Sequence, residues 1–301
     1  MNDAPTRSWV YDEEGRLRSG WWVLIFLLLW KVLEIITGLV ISLFTSTWIS
    51  TRWIEPYLFG VVVIATLLTL RLRKERLASI GFQINGRWAL EAAAGAGLGV
   101  LLMLLTAGWV FAGQGVHFQR NPNVSGFSIL LGLWTFAWVA LFEETLFRGF
   151  VFQRLAHGVG GWAAQGLVAA WFAYAHWGNP GMHGATKFWA TLNIGLASIL
   201  LGLAYLKTRS LALPIGIHLG WNWMQGNVLG FGVSGTTDEP GWFAPIFGSK
   251  PDWFTGASFG LEASLPCAVI CLAFIGLLCL WKSRPLSGDP SIDAAQPPAL
   301  K

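Results

Sequence analysis

Charge is scarce in this chain. Of its 301 residues, 12% are Asp, Glu, Lys or Arg, while 54% are hydrophobic. A soluble domain carries about 25% charged residues, so this shortage excludes an ordinary soluble domain and points to a polytopic membrane protein. Cysteine is rare as well. Cys267, Cys271 and Cys279 all fall in one apolar run near the C-terminus, a spacing that suits neither a disulfide framework nor a zinc site. They read as small buried thiols. The formal charge of +4 would call for a nucleic-acid partner only if basic residues clustered on a soluble face. Here they stand in short loops between apolar runs, so no nucleic-acid partner is expected. The His-Glu-x-x-His pattern of a zinc-binding helix is also missing.

What the chain has in quantity is long apolar runs. The first extends from Trp21 to about Phe44. It is too long for a signal-peptide core and lacks a small-residue cleavage site, so it reads as a retained span. Further runs cover about 54–70, 88–113, 126–155, 160–177, 188–206, 210–228 and 261–281. The expected fold is an all-α polytopic membrane bundle of about eight transmembrane helices in the cell membrane. A lead over 1–20 precedes a transmembrane domain over 21–284, and a disordered tail over 285–301 carries Pro285, Pro290, Pro297 and Pro298.

With the N-terminus inside, thirteen basic residues fall on inner segments, among them Arg16, Arg73, Arg154 and Lys207. Arg52, Arg120, Lys187 and Lys250 fall outside. That bias predicts both termini in the cytoplasm. The long outer segment from Gly230 to Gly260, with Trp242 and Trp253, reads as an interfacial loop or a lid. Gly95 and Gly99 predict a small-residue face for close helix contact.

Against this apolar background stand a few polar groups. Glu143-Glu144-Thr145-Leu146-Phe147-Arg148 lies inside the fourth run, where a single carboxylate costs about 2.5–3.5 kcal/mol on insertion scales. A chain tolerates that cost when the acid has partners, a wet cavity or a task. The glycines at 158, 160 and 161 predict a turn. Residues equally far from it in an antiparallel hairpin share one depth, which brings Glu143 level with His176. His218 and Asn222, four apart, share a face of a later helix. Glu144 and Arg148 form an i,i+4 pair in the favourable order and read as a structural ion pair. Glu143, about 100° away around the helix, is free to face His176.

These residue types suit hydrolysis. A glutamate can act as general base toward water, with a histidine opposite holding that water. A second histidine and an asparagine amide can donate to the oxyanion of a tetrahedral intermediate. No cofactor is then needed. The rival use of Glu143, His176 and His218 is as ligands of a divalent metal such as zinc, with one position open.

Glu143-Glu144-x-x-x-Arg148, Phe172-x-x-x-His176 and His218-x-x-x-Asn222 resemble, in that order on successive apolar helices, the three motifs of the CAAX-protease and bacteriocin-processing (CPBP, or Abi) family. This family includes the type II CAAX prenyl proteases. The resemblance covers about residues 126–228. It implies an all-helical intramembrane endopeptidase, open toward the cytoplasm, acting on a peptide or protein substrate at the lipid bilayer. It further implies that Glu143 and His176 activate water and that His218 and Asn222 stabilise the oxyanion, with Glu144, Arg148 and Phe172 in support.

Other intramembrane proteases fit less well. Gly232-Val233-Ser234-Gly235 imitates a rhomboid serine motif, but no histidine follows His218, and the stretch reads as a loop turn. The sole Gly-Asp pair, Gly288-Asp289, lies in the tail, where no presenilin-like site is expected. The competing reading is a non-proteolytic membrane protein, either a transporter or an immunity-type factor. Lys31 and Glu34 in the first run favour it, since intramembrane charges often line transport paths, although their spacing also permits a local ion pair.

Overall fold

The computed structural model describes residues 9–12, 15–44, 51–236 and 240–283. The expected tail over 285–301 lies outside the described residues. A helix coincides with each of the eight apolar runs. In order these are α1 (Ser19–Phe44), α2 (Thr51–Arg73), α3 (Gly86–Ala112), α4 (Gly126–Glu144) continuing through a π-helical turn into α5 (Phe152–Val159), α6 (Gly161–Ala175), α7 (Gly184–Thr208), α8 (Ala212–Trp223), the short α9 (Asp252–Thr255) outside the runs, and α10 (Leu265–Leu280). Five stretches among the described residues are long and apolar enough to cross a membrane.

Local chemistry sets several boundaries. Asn85 caps α3 by accepting from Trp88 N at 3.0 Å, and Ser125 caps α4 by accepting from Ser128 N at 3.2 Å, each satisfying a backbone donor that the first turn leaves orphaned. The turn between α5 and α6 falls at Gly160, whose φ of 87° lies where side chains other than glycine are strained.

The outer surface is what a bilayer solvates. Leu28, Val32, Ile35 and Leu39 of α1 are all exposed, an apolar stripe at helical spacing that water would not favour. Thiol burial follows position on α10. Cys267 and Cys271 are buried, whereas Cys279 near the helix end is exposed, which corrects the reading of all three as buried.

The tightest helix pair is α3 against α8. Gly216 and Gly220 on α8 sit against the backbone of Ala92 and Ala96, and Gly95 and Gly99 on α3 sit against Leu213, Ile217 and Trp221. Gly97, by contrast, faces open space. Without side chains in the way the two backbones touch, which is how helices gain dispersion energy in lipid. Replacing Gly220 by Val puts a branched side chain into the Ala96 backbone. The expected loss is about 1–3 kcal/mol of stability, read as a lower unfolding temperature in detergent, together with reduced activity because His218 and Asn222 flank the site.

Two features lie beyond an all-helical expectation. β1 (Val116–Arg120) pairs antiparallel with β2 (Phe243–Phe247), Phe118 opposite Pro245, tying the α3–α4 connection to the long segment after α8. That segment then folds over the bundle, so that Leu261 and Phe259 are fully or almost fully buried.

Candidate active site

Glu143 and Glu144 end α4, and the backbone then widens into a π-helical turn over Thr145–Val151 that breaks at Gly149, with φ −69° and ψ −123°. A second π-helical turn, Met224–Val228, follows Asn222 at the end of α8. Such turns cost hydrogen-bond geometry and recur at functional sites. His176 is the C-terminal cap of α6, while His218 and Asn222 come from the middle and end of α8.

The two adjacent acids straddle one imidazole. His218 Nδ1 donates to Glu144 Oε1 at 2.9 Å, and His218 Nε2 stands 3.7 Å from Glu143 Oε2. The two ring nitrogens lie on different edges of the ring, so residues about 100° apart on α4 can each reach one. Arg148, with no exposed surface, donates from Nη1 to Glu144 Oε1 at 3.0 Å. Its Nη2 donates to Ser198 O at 3.1 Å and to Ser198 Oγ at 2.8 Å. The guanidinium also lies 4.6 Å from the centre of the Phe172 ring, close enough for cation–π attraction. Phe172 in turn packs 4.8 Å from the His176 ring and 6.3 Å from that of His218.

His176 Nδ1 stands 2.7 Å from the Phe172 carbonyl oxygen. A carbonyl only accepts, so Nδ1 carries the proton, and in the neutral ring Nε2 is left as an acceptor. Glu143, His176, His218, Asn222 and Phe172 all line one cavity of about 330 Å³. Glu143 was expected to face His176. Both border this cavity, but no hydrogen bond joins them among the described residues, and the partner nearest Glu143 is His218. Glu144 was read as a partner of Arg148 alone, yet it also holds His218.

The sequence reading missed further polar residues on the same wall: Glu55 from α2, Asn193 from α7, Asn227 from the second π-helical turn and Glu262 ahead of α10. Glu262 accepts from Trp221 Nε1 at 3.0 Å and from the Ser234 backbone N at 2.6 Å. Ser234 sits in a turn, as expected, and lines the cavity. An isolated polar residue in an apolar run was the available signal for Asn193 and Glu55.

Lys31 and Glu34 pair locally at 2.8 Å and do not line the cavity. The metal alternative fits poorly. Among the described residues no three His, Cys, Asp or Glu side chains are grouped to hold an ion.

No curated protein and no solved structure matches the chain. Residues 125–224, a third of the chain, match the family model described as type II CAAX prenyl endopeptidase Rce1-like. That match supports a CAAX-type intramembrane protease in general, acting on a peptide at a membrane. The matched residues include all of α4 and α6 together with Glu143, His176, His218 and Asn222, and the match agrees with the resemblance of the three motifs to the CAAX-protease and bacteriocin-processing family.

Proposed function

We propose that this protein is an endopeptidase of the cell membrane that cleaves a peptide bond with a water activated by Glu143. The observation that carries this reading is the convergence of Glu143, His176, His218 and Asn222, from three separate helices, on one cavity. Within it Glu143 Oε2 is buried and has no hydrogen-bond partner. A buried acceptor without a donor is costly, and a water or a substrate group is the natural complement.

Each group has a task that follows from its bonds. Glu143 takes a proton from the water as its oxygen attacks the carbonyl carbon, and His176 Nε2 accepts the second water hydrogen and orients the nucleophile. Because His218 Nδ1–H donates a hydrogen bond to Glu144, its Nε2 is the nitrogen presented to Glu143 and the cavity. With a proton on Nε2, that ring donates to the oxyanion together with the Asn222 amide. The positive charge on the ring is balanced by the two flanking carboxylates. Collapse of the intermediate breaks the C–N bond, and the leaving amine takes its proton from Glu143. Glu144 orients and Arg148 anchors, so neither touches substrate.

The test is cleavage of a peptide library by purified protein in detergent, with and without chelator. Cleavage is expected, and chelator is expected to leave the rate within about twofold, since the mechanism uses no metal as Lewis acid. Loss of activity that returns with added zinc would instead favour Glu143, His176 and His218 as metal ligands. If no peptide is cleaved, the non-proteolytic reading takes over.

A further inference from the structure

The cavity is short of cations and rich in acceptors. Among the described residues three carboxylates line it, from Glu55, Glu143 and Glu262, and no lysine or arginine does. Two of the three are engaged: Glu143 stands beside His218, and Glu262 holds Trp221 and Ser234. Glu55 makes no hydrogen bond or ion pair among the described residues. Two further acceptors on the same wall are orphaned. Asn193 and Asn227 are buried to 0% and 2% exposure, and the Oδ1 atom of each has no partner.

Desolvated acceptors that stay unpaired are costly, and an intramembrane carboxylate more so. Groups of this kind persist where a ligand brings the missing donors. Glu55 lines the same cavity as Glu143. It comes from α2, outside the matched stretch of 125–224.

We propose that Glu55 is the counter-ion for a lysine or arginine side chain of the peptide, received in the cavity beside the scissile bond. This rests on the proteolytic reading and names a substrate class for it. A lysine ammonium has three N–H donors and a guanidinium five, so one basic side chain supplies both the charge that Glu55 lacks and donors for neighbouring amide oxygens. An acidic side chain beside Glu55 meets a like charge and brings no donor for the unpaired amide oxygens.

The experiment uses the full chain in detergent and matched peptides identical except for Lys, norleucine or Glu scanned through the positions flanking the cleaved bond. At one position the wild type should favour Lys over norleucine by at least about tenfold in kcat/KM, with Glu the poorest. Glu55→Gln should bring that ratio down to about twofold, and Glu55→Lys should reverse the order in favour of the Glu peptide. A wild-type ratio near one at every position overturns the assignment without any variant and leaves the protease reading standing. So does a preference that survives Glu55→Gln. If the wild type cleaves none of the peptides, the protease reading fails instead. Fluorescence anisotropy of the same peptides then decides on Glu55: preferential binding of the Lys peptide supports it, and equal binding overturns it.

Discussion

Glu143→Gln should lower peptide cleavage by about 10²–10⁴-fold, the usual contribution of a general base, without lowering the unfolding temperature. Glutamine keeps the shape of the side chain and cannot take a proton from water at any useful rate. Stability should hold because Glu143 forms no hydrogen bond that the substitution removes: its Oε2 is buried without a hydrogen-bond partner, and His218 Nε2, at 3.7 Å, is beyond hydrogen-bond distance. Replacing a buried carboxylate oxygen that accepts no hydrogen bond by a neutral amide leaves no bond unmade, and stability is often gained where a functional group is removed. The decisive measurement is kcat/KM on one cleavable peptide, paired with a thermal melt of the same sample. Retention of wild-type turnover by a well-folded Glu143→Gln protein would remove Glu143 from the mechanism.

Arg148→Ala should destabilise the protein by about 3–5 kcal/mol, the cost of breaking a buried ion pair from one side. Both partners have no exposed surface, so the buried Glu144 carboxylate would lose its arginine, and Ser198 would lose two bonds from Nη2. Chemical unfolding in detergent measures the loss. The double variant Glu144→Gln with Arg148→Met removes both charges and should recover most of that stability, as neutral replacements of buried pairs often do. Activity should not return with it, because His218 would then face an amide in place of the carboxylate that now holds its Nδ1. A double variant with wild-type kcat would show that Glu144 is only a partner for Arg148.

Much of this molecule was legible one segment at a time. Hydropathy located the eight helical runs, because burial in lipid depends on the composition of each run alone. The glycines at 158–161 marked the hairpin turn that the structure places at Gly160. The spacing of Glu144 and Arg148 foretold their ion pair, since i,i+4 neighbours meet on any α-helix. Local rules also have a limit, visible where the fourth run stops being a regular helix: the break at Gly149 leaves no trace in hydropathy.

The remainder was decided by contacts between distant parts of the chain. Val116–Arg120 pairs with Phe243–Phe247, and neither strand carries a signal for its partner. Glu144 reaches His218 across 74 positions, a contact between α4 and α8 that neither segment signals alone. Glu55, Asn193, Asn227 and Glu262 look like unrelated polar residues in the sequence and share a wall only in the folded bundle. The sequence by itself determined a membrane-embedded helical protein and singled out four polar residues that line its cavity, because helix formation and lipid burial are local and a polar residue in an apolar run is visible segment by segment. Only the tertiary structure decided which carboxylate holds which histidine and what else lines the cavity, because those depend on how whole helices pack.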